Sequence, residues 1–81
     1  MKIYGYKKED ENLICLEEAT IQCTYEELSK LAQFINDSLD EFVKGKHYDD
    51  NAHIHFRDWS ESWTEEESDF IIAVTNDTRR E

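Results

Sequence analysis

Apolar and polar positions alternate at the start of the chain, recur at helical spacing through its middle and alternate again towards its end. Residues 2–7, Lys-Ile-Tyr-Gly-Tyr-Lys, are rich in β-formers and predict a first strand. Residues 8–12 are polar throughout and predict a turn. Residues 13–23 carry Leu, Ile, Cys and Thr and predict a second strand, with Glu17-Glu18 interrupting the apolar run at a bulge or bend.

The helix signal is the clearest. Thr24-Tyr25-Glu26-Glu27 is a capping box, in which the Thr24 and Glu27 side chains each satisfy the other's backbone N–H. Cys23 at N′ is placed to staple to Leu28. Leu28, Leu31, Ala32, Ile35, Leu39, Phe42 and Val43 fall within an arc of about 120°. Glu26 with Lys30 and Asp40 with Lys44 form four-apart pairs in the favourable order. Gly45 supplies a residue suited to the helix stop, and Lys44 and Lys46 suit the negative helix end. The expected helix covers residues 25–44.

Residues 52–57 alternate again. Ala52, Ile54 and Phe56 lie on one face and His53, His55 and Arg57 on the other, the signature of a half-buried strand. Residues 69–75 predict a last strand whose run from Phe70 to Val74 is apolar on both faces, as in a central strand. The order ββαββ, with one amphipathic helix needing one sheet to cover it, predicts an α+β two-layer sandwich: a four-stranded, mainly antiparallel sheet with the helix on one face. Leu28, Leu31, Ile35, Leu39, Phe42, Ile54, Phe56, Phe70, Ile72 and Val74 are its expected core. Residues 1–75 form one domain in this reading and residues 76–81 a polar tail.

Composition narrows the function classes. The 81 residues carry 20 Asp and Glu against 9 Lys and Arg, a formal net charge of −11. A nucleic-acid binder must bring cations to phosphates, so this balance argues against nucleic acid as partner. The longest apolar run is five residues, too short for a transmembrane helix or a signal-peptide core, so no membrane partner is expected. Two Cys do not make a disulfide scaffold. Eight residues apart on an extended segment, Cys15 and Cys23 are too distant to bridge without a bend, and they read as small buried hydrophobes in a reducing compartment.

Signatures of catalysis are absent. The 2 Gly are forty residues apart, which precludes a glycine-rich phosphate loop, and no Ser occupies a nucleophile elbow. No catalytic residue, cofactor or functional metal is expected, and the chain reads as a non-enzyme. His53-x-His55 is the feature nearest to a metal site, since strand geometry sets the two rings on one face. Asp58, His47, Asp49 and Asp50 are nearby in sequence as possible further ligands. Tyr4 and Tyr6 share one face of the first strand. They stand either on an open sheet face beside His53 and His55, as a binding surface, or against the helix. The stretch 58–69 holds six acids, no base and both tryptophans. Asp58, Trp59, Glu61, Trp63, Glu65, Glu66 and Glu67 therefore form the candidate contact surface for a basic protein, aromatic anchors among carboxylates, although a Trp there also serves to cover the end of the core.

The order and spacing of several short segments resemble one known family. They are Met1-Lys-Ile-Tyr-Gly-Tyr6, residues 13–20, Glu26-Glu27-Leu28 with Leu31-Ala32 and Phe34-Ile35, His53-x-His55-x-x-Asp58-Trp59, and Asp69-Phe70-Ile71-Ile72. Together they resemble the immunity protein 32 family of bacterial polymorphic toxin systems. The resemblance implies a small, cytoplasmic, non-enzymatic protein that protects the producing cell by binding a cognate toxin, often a nuclease. An acidic domain suits the basic, phosphate-holding site of such a toxin. The alternatives are a metal-binding protein built on His53 and His55, or a homodimeric module using the open sheet face. The expected oligomeric state is a monomer or weak homodimer.

Overall fold

In a computed structural model of the protein, residues 1–45 and 52–75 are described. The elements run β1 (Ile3–Gly5), β2 (Ile14–Leu16), α1 (Tyr25–Gly45), β3 (His53–His55), α2 (Phe56–Trp59) and β4 (Ile71–Ala73). The fold is α+β, but the strands form two separate two-stranded antiparallel sheets rather than one sheet of four. Each hairpin pairs with its own neighbour in sequence. Ile3 faces Leu16 and Gly5 faces Ile14 in the first, and His53 faces Ala73 and His55 faces Ile71 in the second.

The strands are short for local reasons. β2 ends at a bend at Glu17, where the acidic pair breaks the apolar run. The β1–β2 turn is tight: Asp10 N–H donates to the Lys7 carbonyl at 3.1 Å, and Asp10 Oδ1 accepts from Asn12 N–H at 2.9 Å. Glu9 holds a left-handed φ of 60° in that turn, a strained place for a side chain with a Cβ. Gly5 lies under Leu16, where an added Cβ would come within 3.2 Å of Leu16 Cδ1. Phe70 to Val74 does not form a central strand, since among the described residues β4 pairs with β3 alone, and Ile71 is half exposed.

The capping box starts α1. Glu27 N–H donates to Thr24 Oγ1 at 3.1 Å, and Thr24 N–H donates to Glu27 Oε1 at 2.9 Å. Gly45, expected just past the helix, is its last residue.

The buried stripe of α1 differs from the expected one. Phe34 is fully buried, with Ser38 and Phe42 beside it and Leu31 half-buried. Leu28, Ile35, Leu39 and Val43 are exposed, as are Phe70 and Val74, while Ile54, Phe56 and Ile72 are half-buried. The contact face is thus rotated towards Phe34 by roughly 80° from the centre of the apolar arc. Aromatic packing accounts for the rotation. Phe34 meets the rings of Phe56, Trp59 and Phe70 edge-on at 5.2, 5.6 and 6.4 Å between centroids. Phe56 and Trp59 stack at 5.7 Å. Large rings bury more area than branched aliphatics and gain from edge-to-face geometry, so the cluster of four rings decides which edge of the arc turns inward.

Cys15 and Cys23 are both free and exposed rather than buried. No helix among the described residues is long and apolar enough to cross a membrane.

Candidate functional site: an acidic loop pinned to the helix

The segment after β3 departs from the expected strand at Phe56. The chain turns into α2, and Arg57 becomes a helical residue. Its N-terminus is secured from across the hairpin. Asp69 Oδ1 accepts from Arg57 N–H at 3.0 Å, and Asp69 Oδ2 lies 2.7 Å from His55 Nδ1. An ionised carboxylate only accepts, so His55 Nδ1 carries the hydrogen in this pair. Burial raises the Asp69 carboxyl, but the hydrogen bonds from His55 and Arg57 N–H and the charges of the two residues outweigh it. They hold Asp69 below the usual carboxylate range. Phe56 N–H then donates to the Phe70 carbonyl at 2.7 Å, continuing the hairpin one step past the strands.

From α2 to Asp69 the loop is fastened at several points. Trp59 Nε1 donates to Asp37 Oδ2 on α1 at 3.0 Å, and Gln33 Nε2 donates to the other oxygen of Asp37 at 2.8 Å. Lys30 Nζ donates to Ser62 Oγ at 3.4 Å. Trp63 Nε1 closes the loop on itself by donating to the Ser68 carbonyl at 3.0 Å, and Glu67 N–H donates to the Thr64 carbonyl at 3.0 Å. Both tryptophans are therefore half-buried structural residues with their N–H groups spent inside the protein. Asp58, Glu61, Glu65, Glu66 and Glu67 are exposed on the frame so made.

Between α1, β3 and α2 lies an open cleft of about 640 Å³, lined by Asp37, Ser38, Asp40, Glu41, Lys44, His53, Ile54, His55, Asp58 and Trp59. Four carboxylates against one lysine make it acidic, and it runs into the acidic loop at Asp58 and Trp59. Ser38 Oγ is buried beside it with no hydrogen-bond partner among the described residues.

The remaining expectations divide. His53 and His55 lie on one strand face, with ring centroids 5.1 Å apart. Among the described residues no group of three His, Cys, Asp or Glu is placed to hold a metal ion. His47, Asp49 and Asp50 lie outside the described residues. Tyr4 and Tyr6 are exposed on the first hairpin, and the histidines belong to the second, so the four residues do not share one sheet face. Asp37 and Asp69, which hold the loop, were not among the expected site residues. The sequence signal for Asp69 is its place two residues before His55's strand partner Ile71, which becomes visible only once the register is known. In comparisons with known proteins, no family model, no curated protein and no solved structure matches the chain.

Proposed function

We propose that this chain is an immunity-type binding protein that captures and neutralises a basic bacterial toxin, with the acidic loop and the adjoining cleft as its contact surface. One observation carries the reading. The loop is tied to the helix by Trp59–Asp37 and Lys30–Ser62, while Asp58, Glu61, Glu65, Glu66 and Glu67 face solvent. A fixed set of like charges repels itself and is worth holding in place only if an opposite surface meets it. Pre-organised carboxylates lose little freedom on binding and steer a cationic partner during encounter. A nuclease toxin presents such a surface because it must hold phosphates. The segment resemblance to immunity protein 32 points the same way, and the −11 net charge extends the attraction beyond the loop.

The tryptophans enter this proposal as supports rather than anchors. Their indole N–H groups are committed internally, so the contact is mainly electrostatic. The test is binding to a basic toxin, sought first among the products of neighbouring genes. The chain should form a complex with it, abolish its activity at a one-to-one ratio and bind less tightly as salt rises. A neighbouring toxin that ignores the chain, or binds it independently of salt, contradicts the proposal.

A further inference from the structure

The cleft between α1, β3 and α2 is more than an extension of the acidic loop, because its lining includes a buried polar atom that nothing described satisfies. Ser38 is 3% exposed, and its Oγ has no hydrogen-bond partner among the described residues. A buried hydroxyl left unpaired costs stability, and native proteins keep few of them. The helix sets this serine beside charge. At 100° per residue, Asp37, Glu41 and Ser38 follow one another within about 100° of the α1 surface, and Asp40 lies about 60° to the other side of Asp37. Asp58 joins this acidic row from α2, and Lys44 is the one base among the described lining residues. Both oxygens of Asp37 already accept hydrogen bonds, from Gln33 and Trp59, so it contributes its field more than a direct contact. Ile54 and the rings of Trp59, His53 and His55 complete the lining.

We infer that this cleft receives an arginine side chain of the bound protein. Ser38 Oγ accepts a hydrogen bond from the guanidinium, and the carboxylates of Asp40, Glu41 and Asp58 surround the charge. The chemistry of the lining selects this ligand. Four carboxylates against one lysine repel an anion. No group of three His, Cys, Asp or Glu among the described residues is placed to hold a metal ion. Of the two cationic side chains, an ammonium is compact and strongly hydrated, and its three donors need acceptors gathered round one point. Ser38 offers one oxygen. A guanidinium sheds water more readily, spreads five donors in a plane and lies flat on aromatic rings such as those of Trp59 and the two histidines. The cleft, about 640 Å³ in volume, also has room for the aliphatic stem against Ile54 and Trp59. The inference rests on the toxin reading only for the protein that delivers the arginine.

The test is an NMR titration of the isotope-labelled full chain with N-acetylarginine amide, which needs no toxin. Binding in the millimolar range should move the Trp59 indole N–H and the backbone amides of Ser38 and Ile54 together. N-acetylcitrulline amide, close in shape but uncharged, should leave them in place, and N-acetyllysine amide should bind several-fold more weakly. Free arginine, whose own carboxylate meets the acidic wall, should bind more weakly than its blocked form. Ser38→Ala should weaken arginine-amide binding about tenfold, the loss of one hydrogen bond to a charged group. The same variant should melt no lower than the parent, since it removes an unpaired buried hydroxyl and Ala is the better helix former. A lower melting temperature would show the hydroxyl bonded inside the protein and overturn the inference. So would equal binding of the arginine and lysine amides, parent-like binding by Ser38→Ala, or tighter binding of free arginine, the mark of a free amino acid as ligand. Arginine-amide binding by a chain that captures no toxin sinks the toxin reading and supports this one. Toxin capture indifferent to Ser38→Ala sinks this one and leaves the toxin reading standing.

Discussion

Trp59 Nε1 donates to Asp37 Oδ2 at 3.0 Å, joining the start of the acidic loop to a helix residue 22 positions earlier. The same indole packs its ring on Phe34 and Phe56. One side chain thus belongs both to the core and to the frame that carries the carboxylates. Trp59→Phe keeps an aromatic ring but removes the bond and trims the packing on Phe34 and Phe56, so it should cost at least about 1 kcal/mol in urea unfolding. Unchanged stability would mean that the bond does not hold the loop.

The centre of the core is Phe34, fully buried among three aromatic rings. Phe34→Ala should cost about 3–5 kcal/mol, enough to unfold much of a domain this small. A variant with the parent's melting temperature would place the core elsewhere.

The capping box is the most local element of the fold. Thr24→Ala removes the acceptor for Glu27 N–H and should cost about 1 kcal/mol. The loss should appear equally in helix content and in thermal unfolding. No loss in either would show that other contacts set the helix start.

These elements were unequally legible in the sequence. The cap at Thr24 and Glu27 depends on residues three apart, so it could be read directly. Alternation marked the strand around Ile54 and an apolar run marked the strand around Ile72, but their pairing and register are visible only in the structure. The buried face of α1 could not be read from hydrophobic spacing, because Phe34 lies about 60° beyond the edge of the arc and its aromatic partners come from residues 56–70. The four-stranded sheet failed for a related reason. Nothing in the alternation of two hairpins states whether they join edge to edge. The acidic loop was visible as composition, but its fastening through Asp37 and Asp69 is tertiary and left no local signal.

Asp69 makes stability depend on pH. Its carboxyl titrates below its unfolded value of about 3.9, so it contributes stability above that pH that is lost as pH falls through the folded value. Asp69→Asn should be less stable than the parent at neutral pH, and the gap should close as pH falls below about 4. A gap that stays constant over that range would show that the Asp69 charge contributes nothing to holding His55 and Arg57.

The measurement closest to the central claim is the association rate with the toxin that the chain neutralises, at low and high salt, for the parent and for Glu65→Gln/Glu66→Gln/Glu67→Gln. These three carboxylates are exposed, so the substitutions remove charge and leave the frame of the loop intact. The account predicts that association slows by roughly tenfold at low salt, loses much of its salt dependence and leaves dissociation little changed. Equal association rates for parent and variant at both salt concentrations would contradict it.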